Sequence, residues 1–230
     1  MNDITVHAVP GSPYARSVLI ALEEKGAKYR VAPVAPGSGR TPSHLALHPF
    51  GRVPVFEHGP FRLYETQAIL RYIDRILATP PLTPTEPQLA ARMDQVMNVN
   101  DWYLFQGVAN VIVFQRLIRP RMMGLDPDEE AIAAALPKAH VVFGELARLL
   151  GEQPFFAGPS FSLADVLVAP QLDFFQGTPE WSVVTAQHAN IRAWLARMTE
   201  RPSVVATTRE RVLAMAAATW PAQAPHHSSA

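Results

Sequence analysis

Through the first third of the chain, short β-branched and aromatic runs alternate with helical spacings; beyond it only helical spacings recur. Ile4 to Val9 fits a buried first strand, and Pro10-Gly11-Ser12-Pro13 breaks it. Ser12 stands where a helix N-cap belongs, and Pro13 takes the first helical position, where a missing N–H does no harm. Val18, Ala21 and Leu22 then share one face of a helix predicted to run to about Lys25 and to end at Gly26. Lys28 to Val34 predicts a second strand. Pro33, Pro36, Gly37 and Gly39 predict a loop, and Thr41-Pro42 starts a short helix leading to His48. Val53 to Phe56 predicts a third strand, His58-Gly59-Pro60 a tight turn, and Phe61 to Tyr64 a returning fourth. Glu65-Thr66 opens a helix whose Ile69, Leu70, Ile73, Ile76 and Leu77 are spaced for one buried face. The order is β-α-β-α-β-β-α, and its long crossover suits parallel strands.

Thr79 to Pro87 carries four prolines in nine residues and excludes regular structure. No strand pattern follows it. Pro87 to Arg116 reads as one long helix, with Met93, Val96, Met97, Leu104, Val108 and Ile112 spaced for burial. Asp128 to Leu150 is a second helical region, which Pro137 either kinks or divides. A third starts at Ser162-Leu163-Ala164-Asp165, a capping-box pattern assigned to stability rather than chemistry. His188 to Met198 and Pro202 to Ala218 predict two more, and Pro221 to Ala230 reads as a disordered tail. The expected architecture is therefore an α/β domain over 1–78, a proline-rich linker over 79–87, an all-helical domain over 88–220 and a tail over 221–230.

Composition removes several classes of function. Lys+Arg and Asp+Glu are both 20, so no basic field favours nucleic acid or an anionic membrane. Cysteine is absent, which excludes disulfides, thiolate metal sites and a cysteine nucleophile. No metal site is expected. The N-terminus lacks a basic region followed by a long apolar core, and no apolar run approaches the ~20 residues that span a bilayer. The expected location is the cytoplasm.

The candidate chemistry gathers around Val53-Pro54 and Glu65-Thr66. A proline inside a strand pattern cannot donate to the ladder and marks an edge, a bulge or a special site. A cis Val53-Pro54 bond would turn the Val53 backbone outward, leaving its N–H and C=O free for an extended ligand. The helix starting at Glu65-Thr66 offers free N–H groups and a positive dipole end, suiting a small peptide-like anion.

The stretch His48-Pro49-Phe50-Gly51-Arg52-Val53-Pro54-Val55-Phe56-Glu57-His58-Gly59, followed by Leu63-Tyr64-Glu65-Thr66-Gln67-Ala68-Ile69, resembles the glutathione-binding half of soluble glutathione transferases. Those show N-P-x-G-x-V-P-x-L/F and then E-S-x-A-I. The resemblance implies a thioredoxin-like N-terminal domain with a cis-proline, then an all-helical C-terminal bundle, usually in a homodimer. The likeness is to bacterial and plant-like members that use serine.

In such members the activating hydroxyl lies six residues before a segment like Val18-Leu19-Ile20-Ala21-Leu22, and Ser12 holds that position. Activation matters because a thiol of pKa about 8.5 is only a few per cent ionised at pH 7. The resemblance implies that Ser12 stabilises the glutathione thiolate; the local reading is a helix cap alone. Tyr14 is the rival hydroxyl. Val53 is implied to pair its backbone with the cysteinyl portion across Pro54. Thr66, where the family has serine, is implied to hold the γ-glutamyl carboxylate, and Glu65 the γ-glutamyl amine; alone, this pair could equally be helix capping. The pattern departs at Arg40-Thr41, where His-Lys is usual, so Arg40 either binds the glycine carboxylate or is a solvated loop residue. His48 replaces the usual asparagine. Asp101 either reaches a partner-bound γ-glutamyl amine or is a solvated helix carboxylate. Trp102, Tyr103, Phe105 and Phe114 suit an apolar second substrate or a plain core. Phe50, in a loop where no core pattern needs it, is expected to anchor a dimer. The implied activity is thiolate attack on a small hydrophobic electrophile, or on a peroxide. The alternative is a glutathione- or ligand-binding module of this fold without turnover.

Overall fold

The computed structural model describes residues 3–219, which form two compact units: residues up to Leu77 together with those from Val205 onward, and Ala78–Val204. The expected tail over 221–230 lies outside the described residues.

The first unit holds a four-stranded sheet in the order β2-β1-β3-β4. Its strands are β1 (Ile4–Ala8), β2 (Arg30–Pro33), β3 (Val55–His58) and β4 (Phe61–Tyr64). β1 runs parallel to β2 and antiparallel to β3, and β3 pairs antiparallel with β4. The third strand starts at Val55 and not at Val53, because Pro54 has no N–H to give to a ladder. Helix α1 (Pro13–Glu24) buries Val18 to Leu22 and ends where Gly26, at φ 59°, lets the Ala27 N–H reach Leu22 O. The short helix α2 (Pro42–Leu45) starts at its Thr41 cap. Helix α3 (Thr66–Ile76) buries Ile69, Leu70 and Ile73 and packs on α1. An enclosed Lys25–Asp74 ion pair at 2.6 Å ties the two helices.

In the second unit, α4 (Pro87–Val99) follows its Glu86 cap, whose carboxylate accepts the Gln88 and Leu89 N–H groups at 2.9 and 2.7 Å. The single long helix expected over 87–116 is not continuous. A π-helical stretch, Asn100–Ala109, breaks at Gln106 (ψ 116°) and Gly107 (φ 79°). Asn110 Oδ1 accepts the Gly107 N–H at 2.6 Å, and Lys138 Nζ donates to Gln106 O. Two polar side chains thus take up backbone groups that the broken helix releases. Beyond it lie α5 (Asn110–Val113), another π-helical turn at Phe114–Ile118, and α6 (Arg119–Met123), which Gly124 ends at φ 67°.

Helix α7 (Glu129–Leu150) runs unbroken through Pro137. Helix α8 (Leu163–Phe175) starts at the expected box, with Asp165 accepting the Ser162 N–H at 3.1 Å. Then come α9 (Glu180–Val184), α10 (Ala189–Thr199) and α11 (Pro202–Ala206).

The helix expected over 202–218 divides at Thr207-Thr208. Thr208 caps α12 (Arg209–Thr219), its Oγ1 accepting the Arg211 N–H at 3.4 Å. Helix α12 packs on β2, and the hydroxyl of Tyr29, just before β2, lies 3.6 Å from Met215 Sδ. This last helix falls within the first of the two compact units, where its contacts are made with β2. Among the described residues no helix is long and apolar enough to cross a membrane.

Candidate active site

Sheet register brings the candidate residues of the first unit to one edge. His7 pairs with Val55 and Val55 with Tyr64, so the end of β1, the start of β3 and the end of β4 lie side by side. Ala8 pairs with Pro33, which adds the end of β2. Ser12 follows β1, Arg40 follows β2, Val53-Pro54 precedes β3, and Glu65-Thr66 follows β4. All six therefore emerge at the same rim.

Ser12 is half-buried at the N-cap of α1, and its Oγ accepts the Ala15 N–H at 3.4 Å. A hydroxyl that accepts at a cap still carries its own proton. Capping and donation to an anion are thus compatible at Ser12, and the two readings of the sequence do not compete. The Val53-Pro54 bond is cis. Glu65 is the one described non-glycine residue at positive φ (72°), a conformation that costs about 1–3 kcal/mol where surroundings impose it. It arises because the chain turns from β4 into α3 through Glu65 alone, and Glu65 makes no side-chain cap bond. The start of α3 is left as an anion-favouring end, with Thr66 buried beside it.

The loops behind this edge are locked together. A methyl group on Gly39 would stand 2.3 Å from Gly51 O, so the two backbones touch with no room for a side chain. Arg40 leaves that contact exposed to solvent. Buried His44 pairs its Nε2 with Arg52 O at 2.8 Å, bracing the segment that leads into Val53-Pro54. His48 is buried too; its ring lies 4.7 Å from that of Tyr64, and its Nδ1 accepts the Phe50 N–H at 3.3 Å. Burial pushes the His48 imidazole below its usual range despite the opposing field of Glu65. A neutral ring with a free Nδ1 lone pair is what that hydrogen bond requires.

Residues 2–75 match the family model of the glutathione S-transferase N-terminal domain, and residues 108–202 that of its C-terminal domain. A probable glutathione S-transferase of Oryza sativa subsp. japonica, GSTF2, is 33% identical over 184 residues, covering 79% of this chain and 85% of the relative. The chain belongs to the glutathione S-transferase family. Among solved structures, glutathione transferase F7 from Populus trichocarpa is similar at a TM-score of 0.80, with 25% identity over 93% of this chain and 99% of that one. A theta-class glutathione S-transferase from Xanthomonas axonopodis pv. citri, solved with glutathione bound, matches at 0.77, with 26% identity over 90% and 98% of the two chains.

The N-terminal unit of the transferase thus has the thioredoxin-like fold and the C-terminal family domain is helical, as the motifs imply. Asp101 lies in the second unit of the transferase, within the π-helical stretch, where its Oδ1 accepts an Asn100 Nδ2–H at 2.9 Å. Trp102 and Tyr103 beside it are 62% and 56% exposed, which sets them outside the core of their own unit. Phe50 is 63% exposed, although its ring still meets Tyr64 edge-on at 6.2 Å. Tyr14 is half-buried in the first turn of α1. Among the described residues no group of three metal-ligating side chains occurs.

The His44 brace, the Gly39–Gly51 contact and the break that sets the final helix apart from α11 are not among the sequence expectations. Gly39 was visible only as a loop residue; nothing local pairs it with Gly51. For the final helix a signal existed: Thr207-Thr208-Arg209-Glu210 carries capping residues inside what reads as one helix.

Proposed function

We propose that this glutathione transferase lays glutathione along the common edge of β1, β3 and β4, with the Ser12 hydroxyl donating to its sulfur. Val53 pairs its backbone with the cysteinyl portion across Pro54, as an added strand would. Thr66 and the start of α3 receive the γ-glutamyl carboxylate, Glu65 meets the γ-glutamyl amine, and Arg40 receives the glycine carboxylate. The observation that carries this reading is Ser12 itself: its lone pair serves the Ala15 N–H while its proton remains to be given, at the rim where Pro54 and Thr66 also emerge.

Ser12 and the N-terminal end of α1 both favour the anion, and each unit by which they lower the thiol pKa corresponds to about 1.4 kcal/mol. The thiolate then gives its electron pair to an electrophilic carbon; the carbon–sulfur bond forms as a leaving group departs with the bonding pair. Absence of cysteine means that no protein thiol competes for the electrophile. The working protein is a homodimer in which exposed Phe50 inserts into a second copy of the chain, and Asp101 lies where a partner-bound γ-glutamyl amine can reach it.

Thiolate absorbance of the glutathione complex against pH tests the assignment. Ser12→Ala should raise the titration midpoint and lower kcat/KM about tenfold or more, on the order of 1.4 kcal/mol, with a much smaller change in glutathione affinity. A midpoint unmoved by Ser12→Ala and raised by Tyr14→Phe would transfer the role to Tyr14.

A further inference from the structure

The first unit contains a charged side chain that the site described above does not use. Arg209 opens α12, and its stem lies against Gly11, the residue before Ser12. A methyl group on Gly11 would stand 3.3 Å from Arg209 Cδ and 3.8 Å from its Nε. Gly11 itself sits at φ 95°, a conformation that already selects glycine. The guanidinium is exposed and makes no ion pair or hydrogen bond with any described residue. This sets it apart from Arg30, Arg62, Arg116 and Arg148, each of which is held by a carboxylate. An arginine free of any such partner, yet placed one residue from the thiol-activating hydroxyl, is available to a negative charge that forms there.

We propose that Arg209 is a charge-setting residue of the transferase: its guanidinium supplies positive potential at Ser12 and favours the thiolate of bound glutathione over the thiol. The inference rests on the assignment of Ser12 above. It gives α12 a function besides covering β2, since the helix holds the guanidinium over Gly11.

Among the described residues, ionisable groups on the neighbouring elements are these. On α12 they are Glu210 and Arg211, both exposed; on the first turn of α1, Tyr14 and Arg16; on the rim loops, Arg40 and Glu65. Tyr29 and Arg30 sit at the far end of β2, hydrogen-bonded to Glu23 and Asp3. A unit charge near the surface lowers the pKa of a thiol by an amount that falls with distance, and the shift is screened by salt. A direct hydrogen bond from Ser12 is not screened in this way.

The test is the thiolate titration of the glutathione complex for wild type, Arg209→Gln, Arg209→Lys and Ser12→Ala, at about 0.01 M and about 1 M salt, where the Debye length falls from ~30 to ~3 Å. Arg209→Gln should raise the midpoint by about a few tenths of a unit or more at low salt, Arg209→Lys should keep most of the effect, and the gap should close at high salt. Ser12→Ala should raise the midpoint at both. If Arg209→Gln matches wild type at low salt while Ser12→Ala does not, the charge role is overturned and the Ser12 assignment stands. A shift of equal size at both salts would also overturn it, since that is the signature of displaced packing. If glutathione shows no lowered titration in wild type, both readings fall together.

Discussion

Removing the buried carboxylate of Asp165 should nearly unfold the helical unit, and the way the loss depends on pH is the sharper test. Asp165 is fully enclosed and accepts four hydrogen bonds: Phe156 N–H at 3.0 Å, Ser162 N–H at 3.1 Å, Ser162 Oγ–H at 2.9 Å and Trp194 Nε1–H at 3.0 Å. Asp165→Ala leaves three buried N–H donors unmet, each worth about 1–3 kcal/mol and not additive, so a loss of about 3–6 kcal/mol is expected. That is a large share of the ~5–15 kcal/mol that holds a typical domain. Burial raises the Asp165 pKa from 3.8 to about 6, outweighing the four donors that pull it down. A folded pKa above the unfolded one gives stability that is fully present below about 3.8 and lost as pH rises through about 6. Roughly two units correspond to about 3 kcal/mol at most. Protonation is accommodated because Ser162 Oγ can turn from donor to acceptor. Urea unfolding followed by tryptophan fluorescence from pH 4 to 7 should show wild type pulling away from Asp165→Asn as the pH falls. A gap that stays constant, or that narrows on acidification, would refute the reasoning.

Two further predictions bear on the glutathione site and on assembly. Gly39→Ala sets a methyl group 2.3 Å from Gly51 O, so the loops must part by about 1 Å; the KM for glutathione should rise severalfold while the bound thiol still titrates as in wild type, and an unchanged KM would separate these loops from the grip on glutathione. Phe50→Ala, at a side chain 63% exposed, should shift the protein towards monomer in size-exclusion with light scattering while its melting temperature at low concentration stays the same, and a fully dimeric mutant would remove the anchor role.

What the sequence made legible was what local chemistry decides. Ser12-Pro13 and Gly26 bound α1 because a cap, a proline and a left-handed glycine act within a few residues. The β-α-β-α-β-β-α order followed from apolar spacing, and with register alone it brings Ser12, Pro54 and Thr66 to one rim. Where the outcome rests on distant partners, the sequence was silent. Gly107 inside an apolar helical pattern costs only about 1 kcal/mol by propensity, so the pattern reads on through it. The break is completed by Lys138, which comes from another helix. Pro137 works the other way, since α7 continues through a residue that left kink and division both open. Arg209 and Gly11 lie at opposite ends of the chain, and no spacing rule joins them.

That last separation has a consequence for synthesis. The first unit is discontinuous: β2 is made early, and α12, which packs on it, is among the last described segments to leave the ribosome. Between Leu77 and Arg209 lie roughly 130 residues, or about 7–25 s of translation at 5–20 residues per second. For that interval the nascent chain carries an edge strand without its covering helix, while the helical unit emerges and can fold. A premature stop or a C-terminal proteolytic nick therefore injures the N-terminal fold first. The N-terminal fold is complete only once the chain has been made past α12.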